Sequence, residues 1–187
     1  TFVGKSELEK IGAAGFYGTA LKSVEIPFSV KTIGAGSFSH SALQSVTIPA
    51  SVTNIERAAF SQTSLASVII PSSVRTIGKE AFHSCSKLTD VTFLPSKAPD
   101  GFEENVFGAC FSLETIYVPE GSMDYSGGQW AKYEDIIKRK ATLISSGSLT
   151  ALYNLFSVGG MGSWSTFNPM FYALFLIMYV LKKMFLG

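Results

Sequence analysis

Large apolar residues recur in the N-terminal part of the chain at a spacing of 22 residues. An isoleucine, a phenylalanine and a leucine each occupy a fixed place in this repeat: Ile11, Ile33, Ile55 and Ile77; Phe16, Phe38, Phe60 and Phe82; Leu21, Leu43 and Leu65. A fixed period of about 20–50 residues is the sequence signature of repeat architectures. The pattern therefore predicts stacked, similar structural units.

Each unit also contains a short run of β-branched residues that ends at a proline. Val24 to Pro27 returns as Val46 to Pro49 and as Val68 to Pro71. Alternating Val and Ile favour a strand with one buried face, and proline cannot donate to the ladder of a sheet. A longer fourth unit and an insertion over 95–105 precede a fifth copy, which contains Phe107, Leu113, Ile116, Val118 and Pro119. We expect about five repeats of 22–25 residues.

Residues 65–88, LASVIIPSSVRTIGKEAFHSCSKL, contain the complete pattern L-x-x-V-x-I-P-x-S-V-x-x-I-G-x-x-A-F-x-x-C-x-x-L. This pattern resembles the BspA-like leucine-rich-repeat family, and the resemblance covers residues 3–140. It implies a β-rich leucine-rich-repeat solenoid, in which stacked units share one narrow apolar core that no single unit can form. Residues 1–140 are the expected solenoid domain.

Residues 116–137 resemble the usual ending of that family, a VPxGS sequence followed by a short amphipathic helix. Trp130, Tyr133, Ile136 and Ile137 have a spacing that places them on one face of a helix. We expect this C-terminal cap helix to cover the open end of the stack, as terminal repeats of solenoids do.

Charge divides the chain into two unlike regions. All 14 acidic residues and 13 of the 15 basic residues lie between Lys5 and Lys140, whereas residues 141–181 carry no charge. An uncharged apolar segment of this length needs another surface to cover it. The sequence therefore predicts an uncharged linker or interfacial segment over 141–166 and a transmembrane helix over 167–187.

The predicted span begins where Asn168 can cap a helix that Pro169 opens, and about 18 residues at 1.5 Å each approach the thickness of a bilayer core. The expected membrane-anchor residues are Trp164, Pro169, Tyr172, Leu174, Leu176, Ile177, Tyr179, Leu181, Lys182 and Lys183. Lys182 and Lys183 favour a C-terminus on the positive side of the membrane, whereas the basic residues of 138–140 favour the opposite orientation. The pair at 182–183 lies nearer to the predicted span, so we favour the orientation that it indicates.

The candidate chemistry of the sequence is sparse. A formal net charge of +1 argues against nucleic-acid binding, and two cysteines outside any CxxC with two histidines are too few for a structural zinc site. Cys85 and Cys110 share one repeat position, so a disulfide is conceivable; the resemblance implies a small buried residue there and favours free thiols. Histidines 40 and 83 have no expected catalytic partner. We predict no enzyme activity, no metal site and no cofactor.

One acidic cluster, Asp100, Glu103 and Glu104, lies in the insertion. Paired carboxylates can perform acid-base chemistry when rigid elements hold them around a cleft. Here the surrounding sequence contains Pro and Gly and interrupts the repeat, so a solvated loop is the favoured interpretation.

The outward positions of the predicted strands form columns of mostly small, hydroxyl-bearing residues. The candidate protein-binding residues are Ser23, Glu25, Ser45, Thr47, Ser67, Ile69, Asp90, Thr92 and Tyr117, with Thr115 continuing the first column. Either these columns form a docking face, or short polar side chains are simply tolerated on an exposed ladder.

The favoured function is a non-catalytic accessory subunit that stabilises a larger membrane complex, such as a photosynthetic or respiratory assembly, with other subunits and the lipid bilayer as partners. The absence of an initiator Met at Thr1 fits processing on import, which favours an organelle inner or thylakoid membrane over the cell surface. The alternative is a membrane-tethered cell-surface adhesin or receptor, the role most often associated with BspA-like proteins.

Overall fold

The structure, a computed structural model, describes residues 7–140, which belong to one compact unit. These residues form eleven short parallel strands and one 3₁₀ helix. The elements are β1 (Lys10–Ile11), β2 (Ser23–Glu25), β3 (Thr32–Ile33), β4 (Ser45–Thr47), β5 (Asn54–Ile55), β6 (Ser67–Ile70), β7 (Thr76–Ile77), β8 (Asp90–Phe93), β9 (Gly101–Phe102), β10 (Thr115–Pro119), the 3₁₀ helix (Gly128–Ile136) and β11 (Ile137–Lys140).

The odd-numbered strands up to β9 form one five-stranded parallel sheet, which we call the short-strand sheet. The longer strands lie in a pair, β2–β4, and in a four-stranded sheet, β6–β8–β10–β11; their outward side is called the long-strand face. From β1 to β10, consecutive strands of the chain therefore alternate between the two sides. Each coil contributes one strand to each side, which is the predicted solenoid.

The core is a column of phenylalanine rings that runs along the stack. Phe16, Phe38, Phe60, Phe82 and Phe107 stack in sequence, with ring centroids 5.1–5.5 Å apart and interplanar angles of 2–25°. Isoleucines of the short strands, leucines that precede the long strands and valines of the long strands pack around this column. Apart from Leu21, which is exposed in the first coil, the residues that repeat most strictly in the sequence thus form one continuous core.

Two residues with positive φ lie in each turn, two positions before and two positions after the column phenylalanine. They are Ala14 and Gly18, Gly36 and His40, Ala58 and Gln62, Glu80 and Ser84, and Asn105 and Ala109. These left-handed residues redirect the backbone so that the N–H groups in the turn point along the stack. In the turn of Phe38, for example, the Gly36, Phe38 and His40 amides donate to carbonyls of the next coil at 2.8–2.9 Å.

The insertion leaves the stack unbroken, because Gly101 and Phe102 of β9 pair in register with Thr76 and Ile77 of β7. Phe102 takes the place that isoleucine has in the earlier coils. It lies five residues before Phe107, and the same interval separates each earlier isoleucine from its column phenylalanine.

The C-terminal end of the solenoid differs from the prediction. In place of an amphipathic α-helix, Gly128–Ile136 forms a 3₁₀ helix and Ile137 begins strand β11. A 3₁₀ helix has three residues per turn, so Trp130, Tyr133 and Ile136 are aligned on one edge. The Trp130 ring is buried and stacks on Phe102 with centroids 3.9 Å apart.

Strand β11 corrects the predicted count of five repeats, because it adds a sixth long strand, paired in parallel with β10. Its sequence, IKRK, lacks the V-x-I-P signature, and Ile137 also fits the face of the predicted helix. The four-stranded sheet and the β2–β4 pair are also separate, although we expected one continuous ladder. Where they meet, the Ala66 amide donates to the Gln44 carbonyl at 3.4 Å.

Within residues 7–140, no helix is long and apolar enough to cross a membrane. The predicted linker (141–166), the predicted transmembrane helix (167–187) and all the candidate anchor residues lie outside the described residues. They remain predictions.

The phenylalanine column should dominate the stability of the solenoid. Phe60→Ala removes a fully buried ring that stacks on Phe38 and on Phe82. We expect it to lower the free energy of unfolding by about 3–5 kcal/mol, measured by urea denaturation. The matched control is Phe111→Ala: Phe111 is 92% exposed, so its removal should change stability by about 0.5 kcal/mol or less. Equal losses in the two variants would contradict the column as the principal core.

Candidate interaction face

Strand pairing brings the candidate protein-binding residues into two rows on the long-strand face. In the β2–β4 pair, Ser23 lies opposite Ser45 and Glu25 opposite Thr47. In the four-stranded sheet the first row is Ser67, Asp90 and Thr115, and the second row is Ile69, Thr92 and Tyr117. The predicted register is therefore confirmed within each sheet.

Exposure decreases along these rows towards the C-terminus. Ser23, Glu25, Ser45, Thr47, Ser67 and Ile69 are exposed, whereas Asp90, Thr92 and Tyr117 are half-buried. Thr115, which we expected to be exposed, is buried with 4% of its surface accessible. The reason is β11: the Lys138 Nζ donates to Thr115 Oγ1 at 3.1 Å, so the added strand covers this position.

The second row extends beyond the predicted residues. Lys138 pairs in register with Tyr117, and the Nζ of Lys140 lies 5.1 Å from the centroid of the Tyr117 ring, a cation–π distance. Sequence reasoning missed both lysines because it placed them at the end of a helix or beyond it. The row therefore has an acidic residue, Glu25, on its first strand and basic residues on its last.

Ion pairs are concentrated on the opposite side of the solenoid. Among residues 7–140 the pairs are Lys10–Glu56, Lys31–Glu9, Arg57–Glu80, Lys79–Glu104 and Lys97–Asp100, with N–O distances of 2.7–3.8 Å. Their residues lie in or next to the short strands and the insertion. Neither Glu25 nor Asp90 on the long-strand face forms an ion pair with a described residue.

The acidic cluster of the insertion has structural partners. Glu103 accepts a hydrogen bond from the Lys79 backbone N–H at 2.8 Å, and Glu104 pairs with the Lys79 ammonium at 3.1 Å. Lys97 holds Asp100 at 2.8 Å and lowers the pKa of that carboxyl below its ordinary value. Each carboxylate is thus engaged with a lysine on the solenoid surface, as a structural interpretation requires.

The two histidines lie in turns and face different neighbours. The exposed His40 ring is 5.1 Å from the ring of Tyr17, and the Nδ1 of half-buried His83 hydrogen-bonds to Ser84 Oγ at 2.9 Å. Within the described part of the chain, no group of three or more His, Cys, Asp or Glu residues could hold a metal ion. These contacts give the histidines local structural roles.

Both cysteines are buried and carry free thiols. Their burial agrees with the small buried side chain that the sequence favoured at this repeat position, and the oxidation state of the pair stays a prediction.

A stack of parallel coils with columns of leucine, isoleucine and phenylalanine defines a leucine-rich-repeat solenoid. The model of the BspA type leucine rich repeat region matches residues 9–128 of this chain in six copies. The chain therefore belongs to the BspA-type leucine-rich-repeat family, which confirms the resemblance of the repeat. The six matched copies end before β11 and thus also exceed the five repeats that we expected.

No curated protein matches the chain. Among solved structures, the pneumococcal vaccine antigen PcpA has 20% sequence identity and a TM-score of 0.54, over 72% of this chain and 38% of that protein, and it shares the fold. A leucine-rich repeat protein from Eubacterium ventriosum has 26% identity and a TM-score of 0.47, over 53% of this chain and 27% of the other. A leucine rich cell surface protein from Faecalibacterium prausnitzii has 30% identity and a TM-score of 0.42, with coverage of 54% and 36%. The match thus spans 27–38% of the length of each of these structures.

Proposed function

We propose that this protein is a non-catalytic, membrane-anchored protein-interaction module. In this proposal the long-strand face docks onto a protein partner, and residues 167–187 anchor the chain in a lipid bilayer. The observation that carries the proposal is the location of the ion pairs. Those of the described residues belong to the short-strand side, whereas the middle of the long-strand face, from Ser45 to Thr92, presents mainly hydroxyl groups, with Glu25 at one end and Lys138 and Lys140 at the other.

The energetics of docking favour the long-strand face. Covering the short-strand side would remove water from several charged groups, which is costly unless each charge finds a new partner. Serine and threonine hydroxyls rotate to suit a partner and can both donate and accept hydrogen bonds. Protein interfaces are correspondingly depleted of charged residues at their centre.

The row of Ile69, Thr92 and Tyr117 is the expected centre of this contact. Ile69 is 57% exposed although it lies in a strand, so a partner that covers it would remove apolar surface from water. Tyrosine is among the residues that contribute most to binding at protein interfaces. The neighbouring threonine is short enough to let a partner approach both side chains.

The anchor part of the proposal rests on the uncharged sequence from residue 141 to residue 181. Together with a docking face, a single span fits an accessory subunit of a larger membrane complex, such as a photosynthetic or respiratory assembly in an organelle inner or thylakoid membrane. A membrane-tethered surface adhesin or receptor is the alternative. The two differ in whether the chain migrates with a stoichiometric assembly.

Substitution of two threonines of the long-strand face by arginine tests the docking proposal. In Thr47→Arg with Thr92→Arg, two long charged side chains would have to be desolvated at the contact, so we expect the chain to leave its assembly. The measurement is native-gel fractionation of mild-detergent membrane extracts, followed by mass spectrometry of the proteins that migrate with the chain.

The matched control is Thr76→Arg, which places the same change on an exposed strand threonine of the short-strand sheet. It should leave migration unchanged. Loss of the assembly in the control alone, or in neither protein, contradicts docking through the long-strand face. Migration of the unaltered chain as a small free species rejects the accessory-subunit proposal in favour of the tethered adhesin.

Extraction of membranes with alkaline carbonate tests the anchor. Carbonate releases proteins that are held by other proteins but leaves bilayer-spanning chains in the pellet, so we expect the full-length chain to remain in the pellet. A version that ends at residue 140 should appear in the supernatant. Recovery of the full-length chain in the supernatant would reject the transmembrane helix.

A further inference from the structure

A column of hydroxyl and thiol groups runs through the buried edge of the solenoid, three residues after each column phenylalanine. Its members are Thr19, Ser41, Thr63, Cys85 and Cys110. The first three donate to the carbonyl of the phenylalanine in their own coil, at 2.7–3.0 Å. The two cysteines instead donate to the phenylalanine carbonyl of the preceding coil.

The change of partner draws the two sulfurs along the stack. Cys85 Sγ donates to the Phe60 carbonyl at 3.2 Å, and Cys110 Sγ donates to the Phe82 carbonyl at 3.0 Å. Each thiol thus reaches out of its own coil towards the coil before it. Cys110 in particular points towards the coil that contains Cys85.

Backbone register places the two cysteines directly over each other. The Phe82 amide donates to the Val106 carbonyl at 2.9 Å, and the Ser84 amide donates to the Gly108 carbonyl at 2.8 Å. Parallel backbones paired in this way lie about 4.8 Å apart. Disulfides join residues whose Cα atoms are about 4.4–6.8 Å apart, so the coil spacing meets this requirement.

The thiols also interact with each other. The neighbouring Cys110 thiol and Thr63 lower the pKa of Cys85 against the opposing effect of burial. The same contact and burial raise the pKa of Cys110. One thiol of the pair is therefore the easier to ionise, and the thiolate is the form that reacts in thiol–disulfide exchange.

We propose that Cys85 and Cys110 are a site of reversible disulfide formation, which locks the coils of Phe82 and Phe107 together when the chain meets a small-molecule disulfide such as glutathione disulfide.

The exchange balances in two steps. Cys85 is fully buried, so the first step takes place when its turn opens locally. The exposed Cys85 thiolate then attacks one sulfur of glutathione disulfide, forms a mixed disulfide and releases one glutathione thiolate. Cys110 then loses its proton and attacks the Cys85 sulfur, which forms the protein disulfide and releases the second glutathione. Two protein thiols are oxidised, one glutathione disulfide is reduced to two glutathione thiols, and the two protons pass to those thiols.

The test uses the full-length chain in detergent micelles, equilibrated with mixtures of reduced and oxidised glutathione. Remaining thiols are alkylated, and intact-mass and peptide mass spectrometry identify the products. If the fold holds the pair in bonding geometry, the equilibrium constant for the Cys85–Cys110 disulfide should be about tenfold or more larger in the native chain than in denaturing urea. Peptide mapping should show the two cysteines linked within one chain.

Two single variants provide the control, Cys85→Thr and Cys110→Thr. Each introduces the residue that Thr63 supplies at the same place in the column, and each should yield only the mixed disulfide with glutathione. Glutathione on both cysteines of the native chain, a link between chains, or an equilibrium constant no larger than in urea would overturn the proposal. Persistence of both thiols in the most oxidising mixture would overturn it as well.

Discussion

The solenoid depends on the fit between two distances along its axis. Parallel strands pair at about 4.8 Å, and the rings of the phenylalanine column stack at 5.1–5.5 Å. Because the two spacings nearly agree, one ring per coil fills the core while every coil keeps its backbone hydrogen bonds with the next. A coil shifted by one residue would lose both its ring stacking and its backbone hydrogen bonds. Ile11 accordingly pairs with Ile33, and Ile33 with Ile55, in strict register.

This internal order leaves the surface free to differ between the two sides of each coil. One side carries ion pairs that join neighbouring coils, such as the one between Lys10 and Glu56. The other presents serines and threonines around Ile69 and Tyr117. In the proposed function, the protein acts through the side that a partner covers. The proposed docking face follows from this asymmetry rather than from any single residue.

Much of the fold was predictable, because the period of 22 residues reports directly which side chains lie over one another. It placed the phenylalanine column, the strands and the rows that join Ser67 to Asp90 and Ile69 to Thr92. The turns were not predictable, since Ala58 and Glu80 adopt positive φ although neither residue type favours it. The repeated hydrogen bonds between coils impose that conformation. These bonds form only when coils stack, so the sequence of one unit does not reveal them.

The C-terminal end was mispredicted for a related reason. The sequence around Trp130 fits an α-helix and a 3₁₀ helix almost equally well, because residues three apart share one side in both. The structure in this region is determined by β10, because Ile137–Lys140 pairs with its open edge as a further strand. Burial of Thr115 and the lysines beside Tyr117 follow from that pairing. The rows of the long-strand face were therefore predicted in register from β2 to β10, whereas the residues of β11 were missed; binding of a partner to this face remains a proposal.

The most direct test of the account is site-specific photo-crosslinking in intact membranes, with the crosslinking amino acid at residue 92 and, as the comparison, at residue 76. The account predicts that residue 92 on the long-strand face captures one defined protein, identified by mass spectrometry, and that residue 76 on the short-strand sheet does not. Capture of the same protein from residue 76 alone, or of none from residue 92, would contradict it.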